Sequence, residues 1–189
     1  MGVGGPPRGA WRLALCAALL GWALASPARA QESDSAETQA LVHEPMSIYA
    51  VRDMDFGQIA AGASAGTVTL TASPSATCST TGPIVRSGVC SAARFGGYGN
   101  PWSFVRVARP PGDVLTLTGP GGATMQVTDF TYSGDSTMLQ VFSNATYVRF
   151  LVITGDGLFE MSVGGTLHVG ANQAPGKYTG TIEVLLNYN

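Results

Sequence analysis

From Met46 onward the chain is a succession of short runs rich in Val, Thr, Ile, Phe and Tyr, each closed by Gly, Pro, Asn or Ser, with no stretch of helical period. β-branched and aromatic residues suit a pleated, half-buried surface, and punctuation this regular is the pattern of an all-β sandwich or barrel. The runs predict strands at 46–52, 66–72, 102–108, 114–118, 124–130, 147–154, 158–163, 166–169 and 177–188. In Gly66-Thr-Val-Thr-Leu-Thr-Ala72, Val68 and Leu70 point one way and Thr67, Thr69 and Thr71 the other, so one face is buried and the other wet. Arg109-Pro-Pro-Gly-Asp113 and Gly119-Pro-Gly-Gly122 are turns, because proline lacks the ladder donor and glycine takes positive φ. Connections this short favour antiparallel pairing over helical crossovers. Between Ser73 and Pro101 the chain is richer in Gly, Ser, Thr and Pro, which predicts a long surface excursion.

The N-terminus reads differently. Arg8 and Arg12 precede an apolar run from Leu13 to Ala25, and Ala28-Arg29-Ala30 supplies a small-x-small cleavage pattern. Together these describe a secretory signal peptide over residues 1–30, cut after Ala30, with an apolar run too short to be a comfortable membrane span. Residues 31–45 are mostly small, polar and acidic and predict a flexible extension, and 46–189 then form a single domain with no transmembrane segment in the mature chain. Processing removes three arginines and no acid from a chain whose net charge is already −2, and Lys177 is the lone lysine. No basic footprint for phosphate remains, which excludes nucleic acid as a partner. Export places the mature protein in the periplasm, at the cell surface or in the medium, where thiols oxidise. Cys78 and Cys90, with Gly82, Pro83 and Gly88 between them, are then read as a local disulfide. Metal binding is the weaker alternative, since only His43 and His168 could complete a soft-ligand set and neither has finger-like spacing.

The most regular pattern lies at the end. From Lys177 to Tyr188 one face carries Tyr178, Gly180, Ile182, Val184, Leu186 and Tyr188 without interruption. Its register is strongly specified, and a core strand is the plain reading of it.

Met54-Asp-Phe-Gly-Gln-Ile59, Gly66-Thr-Val-Thr-Leu70, Met125-Gln-Val-Thr-Asp-Phe130, Phe159-Glu-Met-Ser-Val-Gly-Gly-Thr-Leu-His-Val169 and Ala174-Pro-Gly-Lys-Tyr-Thr-Gly-Thr-Ile-Glu-Val184, in that order, resemble the exported bacterial family known as domain of unknown function 4402. The resemblance implies an immunoglobulin-like, pilin- or adhesin-like antiparallel β-sandwich and brings no catalytic residue with it. The C-terminus is also similar to that of chaperone–usher fimbrial subunits, which carry a penultimate aromatic and a glycine fourteen residues from the end, matched here by Tyr188 and Gly176. That similarity implies an assembly strand of Gly176, Tyr178, Ile182, Val184, Leu186 and Tyr188, whose edge accepts a strand from a periplasmic chaperone and then from a like subunit. The expected function is an exported, non-enzymatic subunit of a fimbria-like assembly. The alternative is a self-complete Ig-like binding domain, an adhesin with a glycan as its ligand.

Other chemistries have little support. His168 lies in the alternating Thr166-Leu-His-Val169, where a strand side chain is the simpler explanation than a catalytic base. Asp53, Asp55, Asp129, Asp156 and Glu160 sit in no glycosidase motif, and Asp156 between two glycines reads as a turn residue. No catalytic, cofactor-binding or metal residue is therefore assigned. Phe95, Tyr98, Trp102 and Phe104, interleaved with glycines, offer a carbohydrate-stacking surface in one reading and core packing with turns in the more economical one.

Overall fold

The structure, a computed structural model, describes residues 37–40, 42 and 45–188. The expected signal peptide with Ala28 and Ala30, most of the extension over 31–45 and His43 lie outside the described residues. The chain divides into two units, Met1–Leu41 and Val42–Asn189, and every described strand belongs to the second.

The strands are β1 (Ser47–Arg52), β2 (Gln58–Ala60), β3 (Gly66–Leu70), β4 (Cys78–Thr81), β5 (Val85–Ser87), β6 (Ala93–Tyr98), β7 (Phe104–Ala108), β8 (Leu115–Thr118), β9 (Thr124–Ser133), β10 (Met138–Ser143), β11 (Tyr147–Val152), β12 (Leu158–Val169) and β13 (Leu186–Tyr188). All pairings are antiparallel. Among the described residues no helix is long and apolar enough to cross a membrane. The fold is all-β, an immunoglobulin-like sandwich. Among the described residues both sheets keep free edges, so their strands do not close into a barrel.

The larger sheet is organised by β12. One edge of that strand carries β6 along Leu158–Val163 and then β3 along Gly165–Val169, with β1 beyond β6 and β4 beyond β3. Its other edge carries β9, which pairs in turn with β8. The second sheet runs β10-β11-β7-β13, and β2 with β5 make a small separate ribbon. Inward side chains of both sheets form one core in which Val105, Val107, Phe150, Phe159, Met161 and Val127 are almost fully buried. At about 1.5–3 kcal/mol for each large apolar side chain removed from water, this interior is what holds the sheets face to face.

Local chemistry explains where the expected strands shift. β9 runs longer than expected because a bulge intervenes: Asp129 takes φ 51°, Asp129 and Phe130 oppose a single residue of β12, and Val127, Phe130 and Tyr132 all stay inward. β12 is continuous where two strands were expected, since Gly164 and Gly165 lie within the ladder and do not end it.

The surface excursion expected over 73–101 is corrected. It contains β4, β5 and the buried strand β6, whose Gly96 and Gly97 are ladder residues and not turns. A Cβ on Gly97 would stand 2.2 Å from the Phe159 ring and 2.5 Å from the Ser47 carbonyl, so only glycine lets that ring cover the strand. The Tyr49 ring lies over Gly96 in the same manner, filling the place of the missing side chain.

Candidate functional site

The C-terminal segment departs most from expectation. The strand expected over 177–188 forms ladder pairs only over β13, where Leu186, Asn187 and Tyr188 oppose Val107, Arg106 and Val105 of β7. Earlier in the segment it touches the other sheet at a single bridge, Thr179 with Thr118 of β8. The segment thus crosses from the edge of one sheet to the edge of the other along the side of the sandwich. Between these ties Gly180, Thr181, Ile182, Glu183 and Val184 make no backbone hydrogen bond with any described residue.

Why the chain crosses here follows from its pattern. Ile182 and Val184 are half-buried and pack on the core, whereas Thr181, Glu183 and Leu185 are exposed. Period-2 alternation keeps this segment extended and apolar side inward even without a ladder partner. The two tied residues, Thr179 and Leu185, are six apart, an even number, so in an extended chain both turn the same backbone edge toward β8 and β7. The N–H and C=O groups of Gly180, Ile182 and Val184 accordingly face the opposite, outer edge. The stretch carries one charge, the exposed Glu183, the kind of device that restrains indiscriminate pairing.

The expected assembly residues are therefore distributed over three environments. Gly176 lies outside any strand: its φ is 145°, and a Cβ there would stand 2.2 Å from the Pro120 ring, so this position requires glycine for a turn packed on the β8–β9 connection. Tyr178 anchors the same corner, its hydroxyl donating to the Ala174 carbonyl at 2.8 Å and accepting from Gln173 Nε2 at 2.8 Å. Ile182 and Val184 belong to the unpaired middle. Leu186 and Tyr188 sit in β13, and the Tyr188 hydroxyl accepts the Asn100 amide at 2.8 Å. Beside Gly176 and Tyr178 a cleft of about 710 Å³ opens between the Met54–Ala61 stretch and the side chains of Leu117, Met125, Leu167 and Val169, with Asp55, Gln58, Gln173 and Lys177 also on its walls.

Cys78 and Cys90 are joined by a disulfide with Cα atoms 6.4 Å apart, tying the edge strand β4 to the run before β6. Arg109 is a second tie, which pattern alone did not reveal. It donates to the Phe130 carbonyl at 2.6 Å, the Asn144 carbonyl at 2.9 Å, Ser143 Oγ at 3.1 Å and Asp113 Oδ1 at 3.2 Å, so one side chain joins β9 to the β10–β11 hairpin. Tyr132, whose ring lies under that guanidinium, has its phenol pushed up to about 12 by burial, with Arg109 opposing the rise.

His168, Asp55, Asp129, Asp156 and Glu160, weighed as catalysts, each make a structural contact. His168 Nε2 lies 2.8 Å from Thr128 Oγ1, but that hydroxyl donates to Asp129 Oδ2 at 2.8 Å, so the ring nitrogen is the donor and does not act as a base toward it. Asp55 caps the Gly57 amide, Asp156 accepts the Leu158 amide in its turn, and Glu160 pairs with Arg94. Among the described residues no three His, Cys, Asp or Glu side chains converge. Of the aromatics considered for carbohydrate stacking, Phe95 is buried in the core, and Tyr98, Trp102 and Phe104 remain at the surface.

A family model described as domain of unknown function (DUF4402) matches residues 46–188, and the chain belongs to that family. No curated protein and no solved structure matches the chain.

Proposed function

We propose that this DUF4402 member is an exported, non-enzymatic structural subunit of a fimbria-like surface assembly, joined to its neighbours by β-strand complementation. The observation that carries the reading is the extended stretch Gly180–Val184, which presents a backbone edge with no partner among the described residues beside a half-buried apolar row. A strand arriving from a chaperone or a like subunit would complete that edge through main-chain hydrogen bonds. The cleft next to Gly176, walled in part by Leu117, Met125, Leu167 and Val169, would give incoming apolar side chains a place to bury. The Cys78–Cys90 bridge suits an oxidising compartment, in keeping with the periplasm or cell surface.

Two substitutions at one position test this. Val184→Pro and Val184→Ala both trim the same half-buried side chain, but only proline removes an outward N–H that has no backbone partner among the described residues. Equal folding stability, with strand acceptance and assembly lost only in Val184→Pro, supports the proposal. Assembly unaffected by Val184→Pro overturns it.

A second reading rests on a different observation. Val105, Val107, Phe150 and Met161 are wholly enclosed by the chain's own side chains, so the core is filled without a donated strand. This favours a self-complete Ig-like binding domain, which would remain a monomer with a single cooperative unfolding transition.

A further inference from the structure

The outward face of the second sheet bears an arrangement that packing does not require. Arg149 of β11 stands directly across from Arg106 of β7, a like-charged cross-strand pair of the kind that costs stability. Each guanidinium lies over an aromatic ring of the neighbouring strand: Arg149 is 4.3 Å from the Phe104 centroid and Arg106 is 4.2 Å from that of Tyr147. A register shift between Gln140 and Phe142 brings Phe142 opposite Arg149, with its ring 5.6 Å from Tyr147. Phe104, Val141, Phe142, Tyr147 and Arg149 thereby line an open groove of about 370 Å³. Arg149 forms no hydrogen bond or ion pair with any described residue, and its Nε is buried without a partner.

We propose that this face is a binding site for a carboxylate-bearing glycan, a chain of uronic acid residues. The guanidinium of Arg149 receives the carboxylate in a forked pair, and the adjacent ring of Phe142 packs on the apolar face of the sugar. A glycan fits better than a peptide strand because the groove lies on the face of the sheet over β11 and β7, each paired on both sides, and an added strand would instead pair at the outer edge of β10, free among the described residues. The backbone groups of β11 and β7 are spent within the sheet, which leaves recognition to side chains. Charge complementarity points the same way, since the chain is acidic overall and yet Arg149 stands here without an ion pair to any described residue. The site is separate from the strand-accepting edge and does not depend on that reading.

The test is calorimetric titration of the exported chain with a short oligogalacturonate, a neutral oligogalactan and poly-glutamate. The expected result is saturable, salt-weakened binding of the uronate, at least about tenfold tighter than the neutral glycan, which corresponds to roughly 1.4 kcal/mol. Arg149→Gln should lose about tenfold or more, and Arg149→Lys should recover only part, because an ammonium neither forks nor stacks as a guanidinium does. Phe142→Ala, at a side chain 46% exposed, gives a second reading if Arg149→Gln folds poorly. Absence of saturable uronate binding overturns the proposal, as does binding unchanged in Arg149→Gln and Phe142→Ala. Equal affinity for the neutral glycan, or for poly-glutamate, overturns it too, the latter assigning the face to an acidic protein.

Discussion

Thr179 and Thr118 exchange two backbone hydrogen bonds, of 2.8 and 3.0 Å, and among the described residues this bridge is the sole ladder pair between the C-terminal segment and the larger sheet. Replacing Thr179 by proline removes one of those donors and leaves the Thr118 carbonyl to water. Thr179→Pro should cost about 1–2 kcal/mol in urea unfolding, and Thr181→Pro, whose N–H has no backbone partner among the described residues, should cost clearly less. Equal costs would mean that the segment is held by its side chains alone.

The disulfide closes a loop with a sequence separation of 12 and fastens β4, an edge strand whose ladder partner is β3. On the chain-entropy account, a loop of this size stabilises by about 3 kcal/mol. The double substitution Cys78→Ala with Cys90→Ala should lower the urea midpoint, with a slope equal to or slightly steeper than that of the native protein because the uncross-linked unfolded chain exposes more surface. Reductant should reproduce the shift in the native protein and leave the variant unaffected.

Glycines at two positions should be lost at different cost, for different reasons. Gly97→Ala drives a methyl into the Phe159 ring and the Ser47 carbonyl inside the sheet and should destabilise by about 2 kcal/mol or more. Gly121→Ala, at φ 63° in open space, incurs only left-handed backbone strain of about 1 kcal/mol. Thermal unfolding of the two variants measures the difference directly.

Tyr132 links stability to alkaline pH. Its phenol ionises near 10 in an unfolded chain and is pushed up to about 12 in the folded one, so the folded state holds its proton longer. That contribution is complete below pH 10 and declines as pH rises from 10 to 12, no faster than about 1.4 kcal/mol per pH unit. Tyr132→Phe should lose this component of the alkaline decline, as followed by urea midpoints across that range. A decline identical in the variant would place its origin elsewhere.

Much of the sandwich was legible in the residues. Runs with clear alternation and a bounding turn, such as Gly66–Leu70, Leu115–Thr118 and Tyr147–Val152, fold as expected because in each one face is more deeply buried than the other. β6 escaped notice because Gly96 and Gly97 signal a turn, and their role emerges only once the rings of Tyr49 and Phe159 are seen lying over them. β10 escaped because its bulge breaks the alternation that marks a strand. Alternation in the last segment gave the inward face of Ile182, Val184, Leu186 and Tyr188 correctly but not its partners, since side-chain pattern specifies a face and says nothing about which edge is paired. The cation pair Arg106 and Arg149 comes together only through the register of β7 and β11, which lie far apart in sequence.

Amide hydrogen exchange over the C-terminal segment tests the central claim most directly. In the isolated protein the amides of Gly180, Ile182 and Val184 should exchange near the unprotected rate, while those of Thr179 and Asn187 are protected by β8 and β7. On assembly, or on addition of a strand from a neighbouring subunit, the same three amides should become protected together. Protection already complete in the monomer, or none gained on assembly, would contradict strand complementation at this edge.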